Sequence, residues 1–233
     1  NTLIGGLAGD ALTDADGNVA IGKNALSSDT LGSQSVAIGT FALSAQNFTS
    51  ATNAYNVAIG RNAGLNVTTG TVNTLVGGLA GDALTVGNSN VVVGYNALTA
   101  EVAGDRNVAI GTRALLSQTN SSTTDVYNVA VGYDAGAAIT TGTENTLIGG
   151  LAGDALTDAD LNVAVGASAL SSDTKGSASV AIGKGALALQ NFTSATNTFN
   201  TAVGHNAGLS TTTGIQNTFV GGLAGDAFTD ADF

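Results

Sequence analysis

Three sets of residues in this sequence have types and spacings that suggest chemistry. The first is Asp14-Ala15-Asp16-Gly17, repeated in part as Asp158-Ala159-Asp160 and Asp230-Ala231-Asp232. An Asp-x-Asp pair is how many calcium loops begin, because hard cations take oxygen ligands. The remaining ligands and the closing Glu of such a loop are missing, so the first expectation is a solvated turn. The alternative is calcium held by Asp14 and Asp16, with Asp158 and Asp160 as their counterparts. The second set is Gln46-Asn47-Phe48-Thr49 and Gln190-Asn191-Phe192-Thr193, which join an aromatic ring to amide and hydroxyl groups. That combination suits stacking on a sugar or docking on a receptor protein. The competing expectation is that Phe48 and Phe192 tuck inward and pin a loop. The third is His205, the single histidine. Its position is filled elsewhere by Lys23, Arg61, Tyr95 or Tyr133, variety that points to solvent. No nucleophile and general base stand at a recognisable spacing, so no catalytic residue is assigned and the chain is not expected to be an enzyme.

These residues sit in a frame that repeats. An eight-residue unit, typified by Asn56-Val57-Ala58-Ile59-Gly60-Arg61-Asn62-Ala63, begins at positions 1, 18, 35, 56, 73, 90, 107, 128, 145, 162, 179, 200 and 217. Its fourth residue is always Ile or Val, its fifth Gly and its eighth Ala; its first is Asn except at Ser35 and Ser179. The spacings run 17, 17, 21, 17 and recur, which divides the chain into blocks 1–72, 73–144 and 145–216 and a last coil, 217–233. A fixed period of this size marks a solenoid, whose coils bury their apolar faces only by stacking. The expected fold is all-β: thirteen coils of 17 or 21 residues in one continuous repeat domain.

Within a coil, Val19-Ala20-Ile21 has the period-two alternation of a short strand. The glycine after it calls for φ > 0 or for the close approach of another backbone. The constant Ala suggests a crowded interior with room for one methyl group. The leading Asn suits either a turn or an amide ladder running from coil to coil. The first coil of each block places Leu3, Leu75, Leu147 or Phe219 where most coils have Ala, which implies a local change of packing. The four extra residues of the third coil are expected as a surface loop.

Composition narrows the partners. Seventeen acidic against six basic residues give a net charge of −11, which opposes nucleic acid and anionic membrane surfaces. Apolar runs are too short to span a bilayer. The absence of cysteine removes disulfides and thiol chemistry. Ends that fall on coil boundaries suggest a segment of a longer fibre.

The units SVAIGTFAL, NVAIGRNAG and SVAIGKGAL resemble the head repeats of YadA-like trimeric autotransporter adhesins. The 17-residue spacing with NTAVGHNAGLSTTTG is similar to repeat arrays of bacteriophage tail-fibre and related surface proteins. The resemblance covers the whole chain. It implies a left-handed parallel β-roll, a homotrimer of chains side by side, and a structural or adhesive role in an extracellular or virion fibre. It also implies contact with a host-surface glycan or protein receptor through the recurring loops. The adhesin heads use shorter coils, which is a departure. Two other classes fit less well. A left-handed β-helix acyltransferase needs an apolar residue every sixth position, and from Ile21 those places hold Ser27 and Ser33. An ice-binding solenoid needs a rank of threonines, and at the second position of the unit Thr occupies only the first-type coils and Thr201.

Overall fold

A three-residue strand that starts each repeat is too short to be stable alone and is held by its neighbours on both sides. The computed structural model describes residues 1–230, and among them there is no helix. The chain is an all-β parallel solenoid of thirteen turns and divides into two compact units. One comprises Asn1–Thr112 with Thr119–Asp125, the other Arg113–Gln118 with the chain from Val126 onward. In the first unit the strands Thr2–Ile4, Val19–Ile21, Val36–Ile38, Val57–Ile59, Thr74–Val76, Val91–Val93 and Val108–Ile110 pair in parallel, each with the next. In the second, Val129–Val131, Thr146–Ile148, Val163–Val165, Val180–Ile182, Thr201–Val203 and Thr218–Val220 do the same. Register is strict: Ala20 faces Ala37 and Ala37 faces Ala58.

The alternation resolves with the alanine inward. Ala20, Ala37, Ala58 and Ala130 are fully buried, while the flanking Val and Ile of each strand stay half-exposed on the outer face. The alanines that end the unit, such as Ala25, Ala42 and Ala63, are buried too, and in the second and third coils the residue after them, as at Leu26, Leu43 and Leu98, fills the core with a larger side chain.

Both reasons for the conserved glycine hold together. Gly22, Gly39 and Gly60 have φ of 134°, 136° and 140°, and a Cβ on Gly60 would stand 2.4 Å from the carbonyl oxygen of Gly77 in the next coil. The large residue of the first-type coils is also explained. Leu75 points inward, and a Cβ on Gly64 or Gly81 would lie 2.7 or 3.0 Å from its methyl groups. Leu147 stands in the same way against Gly136 and Gly153. The Ala-Gly of each fourth coil is therefore the space that admits the leucine of the coil that follows.

The leading asparagines form a ladder. Asn56 Oδ1 accepts the Asn73 backbone N–H at 2.9 Å, Asn73 Oδ1 that of Asn90 at 3.0 Å, and Asn90 Oδ1 that of Asn107 at 2.9 Å. Each amide nitrogen donates to a carbonyl of its own coil, as Asn73 does to Gly87 at 2.8 Å. The ladder thus runs through backbone groups that would otherwise be buried without partners.

A second ladder was not visible at the second position of the unit. The thirteenth position carries Thr13, Thr30, Thr68, Thr85, Thr140 and further threonines, a rank of the kind an ice-binding solenoid needs, but its hydroxyls are turned to carbonyls of the next coil. Thr68 Oγ1 donates to the Thr85 carbonyl and Thr85 Oγ1 to the Val102 carbonyl, at 3.2 and 2.9 Å. These hydroxyls tie coil to coil.

Candidate functional site

The polar groups with the most structure around them lie where the chain lengthens. In the third coil the leading residue is Ser35, whose short side chain does not continue the asparagine ladder to Asn56. The gap is bridged by buried groups from the twelfth position of successive coils. Gln46 Oε1 accepts from Asn56 Nδ2 at 2.9 Å, and Gln46 Nε2 donates to Ser35 Oγ at 3.2 Å and to Asp29 Oδ2 at 2.6 Å. Asp29 Oδ1 accepts the backbone N–H groups of Gly32 and Phe48, at 3.0 and 3.1 Å. Asp29, Ser35, Gln46 and Asn56 are all fully buried.

A carboxylate accepts and never donates, so it orients the Gln46 amide with nitrogen toward Asp29 and oxygen toward Asn56. By holding the Phe48 N–H it also fixes where the extra residues leave the coil. The second unit repeats the arrangement with Asp173, Ser179, Gln190 and Asn200: Gln190 donates to Asp173 and Ser179 and accepts from Asn200, and Asp173 holds Gly176 and Phe192. Between the two, Glu101 takes the acid's place. Its Oε1 accepts from the backbone of Val102, Ala103, Gly104 and Asn120, and its Oε2 from Asn120 Nδ2.

Sequence reading passed over Asp29 because Ser-Ser-Asp-Thr looks like a solvated turn. One signal was present. The twelfth position holds Leu12, Val67, Leu84, Ile139 and Leu156 in other coils, and an acid replaces them only in the coil just before each long one.

This network fixes the loop residues proposed for ligand contact. Gln46 and Gln190 are buried in it, and Phe48 and Phe192 are buried at 6% and 8% exposure. Asn47, Thr49, Asn191 and Thr193 face solvent. The rings therefore serve as the inner anchor of the loop, and only amide and hydroxyl groups are presented outward. Thr30 Oγ1 donates to the Phe48 carbonyl at 2.9 Å and Thr174 Oγ1 to that of Phe192 at 2.7 Å, which tightens the same anchor.

The Asp-x-Asp pairs flank an inward alanine. Ala15 and Ala159 are buried, Asp14, Asp16 and Asp158 are exposed, and Asp160 is half-buried. Asp160 Oδ1 accepts from the Thr143 N–H and hydroxyl at 2.7 and 3.1 Å, continuing a ladder of the sixteenth position. The Thr157 hydroxyl, and after it Lys175 at 3.5 Å, hold Asp158 below the ordinary carboxylate range. Among the described residues no three acidic or imidazole groups converge as metal ligands. Ala231 and Asp232 lie outside the described residues. His205 is exposed beside the strand Thr201–Val203, as its variable position suggested.

A further acidic pair stands in the second unit. Asp134 is buried with its Oδ1 2.9 Å from Arg113 Nε, and the Arg113 guanidinium lies 5.8 Å from the Tyr133 ring centre. Burial raises the Asp154 carboxyl above its usual range, its own backbone N–H opposes this, and the charge of Asp134 adds to the rise. A raised folded value means that ionised Asp154 costs stability at neutral pH. That cost falls as pH drops through the folded value and is gone below the unfolded one. Asp154→Asn is expected to raise the melting temperature slightly at pH 7. The gain should fade by about pH 4, near the ordinary Asp value, and thermal melts of both forms across that range check it.

Comparison with protein-family models, with curated proteins and with solved structures finds no match to this chain. The arrangement of its own groups carries the functional reading. No pocket opens among the described residues, and no membrane-length apolar helix occurs there. What each unit does present is an apolar outer face on its strands and a set of polar loop tips.

Proposed function

We propose that this chain is a structural segment of an extracellular or virion fibre, in which three copies pack side by side about a common axis. The observation that carries the reading is the outward Val/Ile face. In the first unit Val57 and Ile59, Val76, Val91 and Val93, and Val108 and Ile110 follow one another in register, and in the second Val163 and Val165 pair with Val180 and Ile182; all are partly exposed. Apolar faces of this continuity are rarely left to water by single-chain soluble proteins. A surface that repeats at every strand, about 4.8 Å apart, is matched along its length by another surface of the same repeat, and a second copy of the chain is such a surface. The resemblance to trimeric adhesin heads and tail fibres agrees in kind and supplies the number three.

In this reading the loops at Asn47–Thr49 and Asn191–Thr193 face outward, away from the packed strands. Their exposed amides and hydroxyls are the groups offered to a glycan or protein receptor. Weak contacts of this kind gain from repetition along a fibre. The reading assigns no reaction to the chain. Sedimentation equilibrium tests it: the expected mass is three times 22.6 kDa, and a monomer at all accessible concentrations would remove the proposal.

A further inference from the structure

The rims of the apolar face carry a pattern of their own. Each strand after the first is flanked by two rim positions, the last residue of the preceding coil on one side and the sixth of its own coil on the other. The first of these is left-handed: Tyr55, Val72, Tyr127, Leu161 and Phe199 have φ between 52° and 62°, and all five are about half exposed. A positive φ is costly for bulky residues and more so for the β-branched Val72. Large apolar side chains held in strained positions and turned to solvent need a reason outside the coil.

At the strand that follows each long coil, the two rims are matched. Beside Val57–Ile59 stand Tyr55 and Arg61, beside Val129–Val131 stand Tyr127 and Tyr133, and beside Thr201–Val203 stand Phe199 and His205. At each of these levels both rims bear a large planar group, and the pairs are ones that stack. At other levels at most one rim bears a large side chain, as in Gly17 with Lys23, Ser89 with Tyr95 and Leu161 with Ala167. Within a chain the partners cannot touch, because six residues through an extended strand separate them by on the order of 15 Å or more. The match has meaning only if the rim of one copy meets the opposite rim of another.

We infer that copies of this chain associate in parallel and in register, with the coil-end rim of each copy seated on the sixth-position rim of its neighbour. The assignment rests on the self-association proposed above and adds its direction and its seam. Rotation about an axis parallel to the direction of coil stacking brings unlike rims together, whereas a two-fold axis perpendicular to it brings like rims together. Like rims would set Arg61 and Lys23 against the cationic rim of the second copy. Unlike rims instead place the Arg61 guanidinium on the Tyr55 ring and Tyr127 on Tyr133, contacts that favour association. The Arg113 guanidinium beside the Tyr133 ring is the same kind of contact already formed within a chain. A one-coil slip would set Tyr55 against Thr40 or Gly78 and lose the match.

The chain has no cysteine, so single-cysteine forms report the seam directly. Tyr55→Cys and Arg61→Cys are exposed substitutions in the first unit, and Phe199→Cys and His205→Cys are their counterparts in the second. Each form is refolded alone or mixed in pairs, treated with a short bismaleimide, and resolved on a denaturing gel beside its sedimentation mass. Cross-linked dimer is expected from Y55C mixed with R61C and from F199C mixed with H205C, at least tenfold above any single form. R61C mixed with F199C should give none, because the levels differ. Assembly at the expected mass with no Y55C–R61C or F199C–H205C link would overturn the seam and its parallel order while leaving self-association intact. A monomeric mass with no cross-link would overturn self-association, and the seam with it.

Discussion

Alanine in place of Gly60 is expected to be strongly destabilising, as at the other strand-end glycines that meet the next coil's backbone as closely. Two costs combine. The backbone at φ 140° lies where residues with a Cβ are strained by about 1–3 kcal/mol. The added methyl would also stand 2.4 Å from the Gly77 carbonyl oxygen and 2.6 Å from its carbon. Neither neighbour is a flexible side-chain tip, so the backbones of two coils must part. Overpacking of a rigid site adds about 1–3 kcal/mol, giving a loss of roughly 2–6 kcal/mol in all. Gly6→Ala is the control: nothing lies within 4 Å of its Cβ position and its backbone is unstrained. Chemical denaturation of the two variants is expected to show a large loss for the first and almost none for the second. A Gly60→Ala protein as stable as the parent would mean that the stacking is looser than the glycine contacts require.

The second large effect is expected at Asp29. Asp29→Ala strips the acceptor from the Gly32 and Phe48 N–H groups and from the Gln46 amide, all of them buried. A buried donor left unsatisfied costs about 1–3 kcal/mol, and breaking a buried charged network costs about 3–5 kcal/mol. Asp29→Asn separates charge from shape. Its amide group would meet the Gln46 amide nitrogen donor to donor, and turning Gln46 over would only pass the conflict to Asn56. The double variant Asp29→Asn with Gln46→Glu restores an acceptor at both contacts. It is therefore expected to recover most of the stability that D29N loses. A double-mutant cycle in denaturant measures this; strict additivity of the two losses would refute the directional role assigned to the carboxylate. Proteolysis near Asn47–Ala51 supplies a second reading, since D29A should open that loop before the rest of the chain unfolds.

Repetition made the backbone plan legible. Thirteen returns of one unit fixed the number of coils, the placing of strands such as Val57–Ile59 and the strain at Gly60, because a glycine constant among variable neighbours has few physical causes. Spacing also placed the loop at the third coil. The direction in which side chains point was a different matter. Val-Ala-Ile alternates whichever face is buried, and only stacking shows that the strand's inner face meets a core already filled by side chains such as Leu26, Leu43 and Leu98, so that most coils leave room for a methyl group there and valine and isoleucine turn outward.

The candidate loop divided in the same way. Gln46-Asn47-Phe48-Thr49 has one composition but two fates. Asn47 and Thr49 reach solvent, while Gln46 and Phe48 are drawn inward by Asp29, which stands 17 residues before Gln46 and directly beneath it in the stack. Neighbours one coil apart are distant in sequence, so a reading along the chain sees a soluble turn where the fold has a buried acid. By itself the sequence determined a parallel solenoid of thirteen coils and the places where coils lengthen, since both are properties of period. Tertiary structure alone decided which groups are spent inside and which are left to meet a partner, because burial is set by what lies one coil above and below.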